Sequence, residues 1–291
     1  MRFSTSGSLR RIDISLLAEA LAALRKEWSA LRFDATGHVV NPLTGASLDT
    51  LRLLEGRHRA VGARYEIVTR TPETTWDATA QDFVPTGTIN ETSTFLVIRG
   101  DDARTLSVSV HDLEAQWSVD VDVVHDRLPR IELSGAADVT EMMKGEVGAG
   151  CLSWLVGGTA SGRATIDLGV VERRSGTLAD GSGRYNRFRA NGAVTISTSA
   201  REWDVDAKAR VKTKGLARLA ALIFRGRITT AADEAIARFW RDAPAAVDEA
   251  DRELHQARQL VADEGGVDQV VHRMLWEEGY ADRLDAAHPS A

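Results

Sequence analysis

The sequence predicts an α+β fold: a large antiparallel sheet of about eight or nine strands covered on one face by N- and C-terminal helices. Three observations lead there. Between Tyr65 and Val211 apolar and polar residues alternate repeatedly in a tract rich in Val, Thr, Ile and Trp, as strands with one dry and one wet face require. The connections in that tract are mostly short and carry Asp101-Asp102, Pro129, Gly176, Asp180-Gly181 and Asn191-Gly192. Short turns suit an antiparallel meander and not a parallel sheet with crossover helices. Apolar spacing of three and four residues, the helical period, is concentrated at the two ends of the chain. The expected division is an N-terminal helical segment over 1–60, a sheet domain over 61–214, a C-terminal helical segment packing on the sheet over 215–281, and a tail over 282–291.

Taken in order, Ser4 to Leu9 reads as a loose leader. Ile14, Leu17, Leu21, Leu24, Trp28 and Leu31 then form a heptad-like helical seam. Gly37, Asn41, Pro42 and Gly45 place a loop or short hairpin over Asp34–Ser47, and Leu48, Leu51, Leu53 and Leu54 suggest a short helix ending at Gly56. The clearest strand sets Trp117, Val119, Val121 and Val123 against Ser118, Asp120 and Asp122; another sets Trp203, Val205, Ala207, Ala209 and Val211 against Asp204, Asp206, Lys208, Arg210 and Lys212. Val139 to Val156 interrupts the pattern with a short helix or ordered loop. After Gly215 several helices are expected, with Gly226 closing the first, Pro244 breaking the pattern again, and a last one over Val267–Glu278. The seam at Val247, Ala250, Leu254, Ala257 and Val261 matches the N-terminal one, so the two could pack together or meet a second copy.

Composition narrows the function. A net charge of −6 argues against a general nucleic-acid binder, although a local basic patch is compatible with it. The single cysteine, Cys151, excludes an intramolecular disulfide, and its apolar neighbours suit a buried small hydrophobe better than a thiolate. No secretory signal or transmembrane run is apparent, so the chain reads as cytoplasmic. Phosphate-loop and nucleophile-elbow motifs are missing, and the seven histidines are scattered; no catalytic residue, metal ligand or cofactor is assigned. Asp120 with Asp122, and Asp204 with Asp206, each share a strand face about 7 Å apart, and a neighbouring arrangement would cluster all four. His111 and His125 recur at strand ends beside Asp112 and Asp126. The basic run from Lys208 to Arg227 borders Leu216, Leu219, Leu222 and Ile223, which suits a core helix with snorkelling arginines or an anionic surface.

The run Val-Asp-Ala-Lys-Ala-Arg-Val-Lys-Thr-Lys-Gly-Leu-Ala-Arg-Leu-Ala from Val205, continuing to Ala-Ile-Ala-Arg-Phe-Trp at Trp240, resembles the end of START-like helix-grip domains. That superfamily includes lipid-transfer domains and polyketide cyclases. The resemblance implies a curved antiparallel sheet closed over a C-terminal helix, with an apolar ligand held between them. The expected function is therefore non-catalytic binding of an apolar or amphipathic small molecule or lipid in a sheet–helix cavity. Trp117, Trp203, Leu219, Ile223 and Phe239 are its expected walls. The alternatives are a protein–protein or homo-oligomeric assembly module using the terminal helices, and an enzyme of the cyclase or hydrolase kind using Asp120, Asp122 or His125.

Overall fold

Strand alternation organises more of the chain than the tract that announces it. The computed structural model describes residues 1–77, 82–112, 117–138, 159–185, 188–199, 201–213, 225–280 and 283. They form β1 (Arg2–Arg10), α1 (Ser15–Ala30), β2 (His38–Val40), β3 (Ser47–Glu55), β4 (Arg64–Asp77), β5 (Asp82–Asp101), β6 (Thr105–Asp112), β7 (Trp117–Val124) and β8 (Arg130–Asp138). The chain continues through β9 (Thr159–Asp167), α2 (Val170–Arg173), β10 (Ser175–Tyr185), β11 (Phe188–Thr198), β12 (Glu202–Thr213), α3 (Arg225–Asp263) and α4 (Val267–Trp276). All twelve strands join one antiparallel sheet in the order β1-β12-β11-β10-β9-β8-β7-β6-β5-β4-β3-β2. The α+β class holds, but the described residues form twelve strands and not eight or nine.

The extra strands come mainly from the N-terminal segment, which was expected to be helical. Ser4 to Leu9 is no leader: Arg2–Arg10 pairs along its whole length with Glu202–Arg210 of β12. Its three serines and its glycine have little intrinsic strand preference, so the partner makes the strand. The segment around Leu48 to Leu54 is β3 and not a helix, because Leu51 and Leu53 face Ile67 and Tyr65 across the ladder. Residues 1–60 thus contribute one helix and three strands. The loop read over Asp34–Ser47 is the hairpin alternative, joining β2 to β3.

Paired residues in an antiparallel ladder share a face, so the register can be followed across the sheet. From Trp203 and Val205 it runs through Ile196, Ala179, Ile166, Ile131, Val123, Leu106 and Val108 to Ile98 and Tyr65. One dry face therefore extends over the sheet, and Trp117 and Trp203 both lie on it. The helices dock on this side. Trp28 of α1 and nearby Phe33 pack against a core of Ala63, Tyr65, Ile98 and Val108. Val170 and Val171 of α2 pack with Ile196, Trp203 and Val205 at the other end.

The C-terminal helices differ from the expectation in one instructive way. Residues 225–263 form a single 39-residue helix that contains Pro244. Its less exposed stripe is Ile236, Trp240, Ala243, Val247, Ala250, Leu254, Ala257 and Val261, while Phe239 is 53% exposed. That unbroken heptad spacing holds the phase through the proline, whose missing N–H costs only one rung of the helix. The α3 seam does not pair with the N-terminal one. Instead Gly265 and Gly266, with φ of 86° and 127°, turn the chain so that α4 packs on α1. There Trp276 Nε1 donates to Glu27 at 2.8 Å and Lys26 pairs with Asp268 at 2.5 Å. Docking on the sheet and on α4 also rotates the α1 seam: Ala18 and Ala23 are buried, and Leu17 and Leu24 point outward. No helix among the described residues is long and apolar enough to cross a membrane.

Candidate functional site

The second half of the sheet carries a patch of small residues on its dry face. Gly183 pairs with Ala190 on one side and with Gly162 on the other, and Gly162 pairs in turn with Gly135. Gly181 pairs with Gly192, which pairs with Ala209. A row of residues without side chains leaves a channel in an otherwise pleated surface. Phe3 and Val211 stand at its margin, and Ile236 of α3 overhangs it. The result is a groove of about 540 Å³, lined almost entirely by apolar atoms. It is an open groove and not an enclosed cavity.

Helix α3 is held over β1 by specific contacts that place this overhang. Trp240 Nε1 donates to the Thr5 hydroxyl at 2.6 Å, and the Trp240 ring lies on Gly7 so closely that a Cβ there would meet it at 2.6 Å. Farther along, Arg10 pairs with Asp248 and Asp251 at 3.0 and 2.9 Å, and Arg258 with Asp13 at 3.0 Å. The helix and strand thus run in the same direction from Ile236 onward, with the groove at their start.

None of the described wall residues expected from sequence reaches this groove. Trp117 lies in the row Trp117–Ala137–Ala160–Tyr185–Phe188–Thr213. Trp203 sits ten residues from Thr213 on β12. The two tryptophans are therefore separated by about 24 Å across the strands and about 33 Å along them. Trp203 instead packs beside α2. Phe239 is on the outer side of α3, its ring 5.1 Å from that of Trp240. Leu219 and Ile223 lie outside the described residues, as do Cys151 and the whole of Val139–Val156. Sequence reasoning missed the glycine and alanine floor. Its signal was present in the alternation of Gly181, Gly183, Ala190 and Gly192 with polar residues.

No protein-family model and no curated protein matches the chain. The site's chemistry must therefore be read from its own residues.

The acid–base arrangement considered from sequence does not assemble. Strands β7 and β12 are separated by four others, so the two aspartate pairs remain apart. Asp122 and Asp120 are spanned by Arg99, at 3.0 and 3.6 Å, and Asp120 also accepts from the Ser109 hydroxyl at 2.5 Å. His111 pairs across the ladder with Ser118 near one end of β6, whereas His125 is hydrogen-bonded through its backbone N–H to Arg104 at the other. No group of three or more metal-ligating side chains occurs among the described residues.

A buried polar cluster lies instead where α1 meets the sheet. His58 Nε2 donates to the Trp28 carbonyl at 2.9 Å, and its Nδ1 accepts from the Tyr65 hydroxyl at 2.8 Å. That hydroxyl accepts from the Arg59 backbone N–H at 3.0 Å. The Arg59 side chain grips Asp101 with both Nε and a terminal nitrogen, at 2.6 and 3.0 Å. Every member has a partner and Tyr65 is fully buried, so this is a latch between α1, the loop before β4, and β5. Its surroundings nonetheless bias its protonation. Burial, then the nearby Arg59 charge, lowers the His58 pKa against the opposing Trp28 bond, and burial with Arg25 lowers that of His125. Burial raises the Asp101 carboxyl, but Arg59 and Trp28 outweigh it and the net direction is down.

These directions predict acid destabilisation in two stages. A histidine whose folded pKa lies below its unfolded value of about 6.5 loses stability as pH falls through that region, because the unfolded chain takes up the proton first. The carboxylates of Asp13, Asp101 and Asp102 are lowered too, and their contribution is lost only below about pH 4. Urea midpoints measured across pH should start to fall as pH drops below about 6.5, the unfolded histidine value, and fall again below about 4. Replacing His58 by Gln should shrink the first step and leave the second. An unchanged first step in both His58→Gln and His125→Gln would refute the assignment.

Proposed function

We propose that this chain binds an apolar or amphipathic small molecule, without catalysis, in the groove between β10–β12, β1 and the start of α3. The observation that carries the reading is the glycine and alanine floor beneath Ile236. A volume of about 540 Å³ falls in the range of small-molecule sites, and removing an apolar ligand from water supplies the driving force, about 25 cal/mol per Å² buried. The likeness of Val205–Trp240 to the end of helix-grip domains supports the same reading, and the uninterrupted α3 is in keeping with it. The groove's lining residues include no histidine and a single carboxylate, Asp180, whose neighbours in the strand alternation, Ala179 and Gly181, belong to the dry face while Asp180 itself belongs to the wet one.

Filling the floor tests the proposal without disturbing the core. A Cβ at Gly183 would meet only the Ser161 carbonyl, at 3.8 Å, so Gly183→Leu should fold and project its side chain into the groove. Fluorescent fatty-acid titration should saturate with the parent protein and weaken about tenfold or more in the variant, a loss of about 1.4 kcal/mol or more. Melting temperature should hold or rise, since glycine within a strand is unfavourable. Equal affinity in the two proteins, or no saturable binding in the parent, would dismiss the groove as the site.

A further inference from the structure

On the wet face the register gathers cations that the sequence scatters. Arg189 of β11 stands directly opposite Lys212 of β12 and directly opposite Arg184 of β10. One strand farther on, Arg163 of β9 pairs with Ser182. Like charges directly opposed in a ladder have Cβ atoms about 5 Å apart and destabilise it. Elsewhere on this face arginines meet acids: Arg70 has Asp49 and Glu91, Arg99 has Asp120 and Asp122, and Arg130 has Glu132. None of Arg163, Arg184, Arg189 and Lys212 takes part in an ion pair among the described residues.

A hollow of about 540 Å³ lies among these four cations, with Ser182 and Asn191 at its centre, and it is lined by no carboxylate and no aromatic ring. A second hollow of about 1040 Å³ continues toward β1 past Lys208, Arg210 and Arg2. Carboxylates enter only there: Asp122 and Glu132, which already hold Arg99 and Arg130, and Asp180, one carboxylate against the four cations of the smaller hollow. Folding therefore concentrates positive charge in one place on a chain of net charge −6, and leaves its neutralisation to something else.

We propose that the smaller hollow binds a small polyphosphate, an anion of several linked phosphate groups, between Arg163, Arg184, Arg189 and Lys212. Guanidinium forks match phosphate oxygens two at a time, and the Ser182 hydroxyl and the Asn191 amide add neutral donors between them. A single orthophosphate is too small to engage all four cations. A single-stranded nucleic acid would lack the aromatic platforms on which its bases stack. The site is separate from the apolar groove: the sheet lies between them, and either can fail without the other.

Titration calorimetry of the full chain with sodium tripolyphosphate at about 50 mM salt should give saturable binding that weakens steeply as salt rises. The double variant Arg184→Gln/Arg189→Gln should bind at least about tenfold more weakly. Its unliganded melting temperature should rise, because repulsion across the ladder has been removed, which separates lost binding from lost folding. Lys212→Gln alone should weaken binding by a smaller factor, and Arg70→Gln, at the far end of the sheet, should bind as the parent does. The proposal is overturned by absent saturable binding at about millimolar tripolyphosphate, or by equal affinity for orthophosphate. It is equally overturned by tighter binding of a single-stranded oligonucleotide with the same number of phosphates, or by a loss in Arg70→Gln matching that of the double variant.

Discussion

Tyr65→Ala is expected to lower the free energy of unfolding by about 3–5 kcal/mol, the range for deleting a buried aromatic ring. The side chain is fully buried at the centre of the core that joins α1 to β4, β5 and β6. Its ring lies 5.4 Å from that of Trp28, 5.9 Å from Phe33 and 6.0 Å from His58, so no neighbour can close the space without breaking another contact. Tyr65→Phe separates the two contributions. It keeps the ring but strips His58 Nδ1 and the Arg59 N–H of their common partner, which should cost about 1–3 kcal/mol. Urea unfolding of the two variants side by side is the measurement. A Tyr65→Phe variant as unstable as Tyr65→Ala would mean that the hydrogen bonds, and not the packing, hold this end of the sheet.

The second large effect is expected at Gly7→Val, which should destabilise the chain by about 1–3 kcal/mol through overpacking and loosen α3. The new Cβ would lie 2.6 Å from the Trp240 ring, and that ring cannot simply swing aside without losing its hydrogen bond to Thr5. The helix must lift from β1 near the groove. Hydrogen exchange should accelerate along the first half of α3 and less along the stretch from Asp248 to Arg258, which ion pairs hold to Arg10 and Asp13. Fatty-acid binding should fall together with that protection, since Ile236 is carried on the same helix. Faster exchange confined to the far end of α3 would contradict this placement of the helix.

Several elements were legible locally. Trp117–Val124 and Glu202–Thr213 alternate so regularly that their dry faces could be named, and both tryptophans do share one side of the sheet. The helices α1 and α4 also lie where three- and four-residue spacing puts them. Other elements carried an ambiguous or empty local signal. The leucines of β3 fit a helical turn and a strand face about equally well, and pairing with Tyr65 and Ile67 selected the strand. In β1 the pattern of Ser, Thr and Gly says little until β12 lies beside it. Pro244 reads as a break, yet the heptad stripe on either side keeps one phase and the helix continues. Of the expected wall residues, Trp117 and Trp203 lie away from the groove for a single reason: sharing a face does not mean sharing a place on it.

In strands such as β7 and β12 the residues alone settle which side is dry, because side-chain alternation is a local property of an extended backbone. It takes the assembled sheet to bring Gly162, Gly183 and Ala190 together as a groove floor and to crowd Arg184, Arg189 and Lys212 behind it. The reason is physical: a residue's height along the sheet is set by the cross-strand hydrogen-bond register, and no pattern within one strand records it.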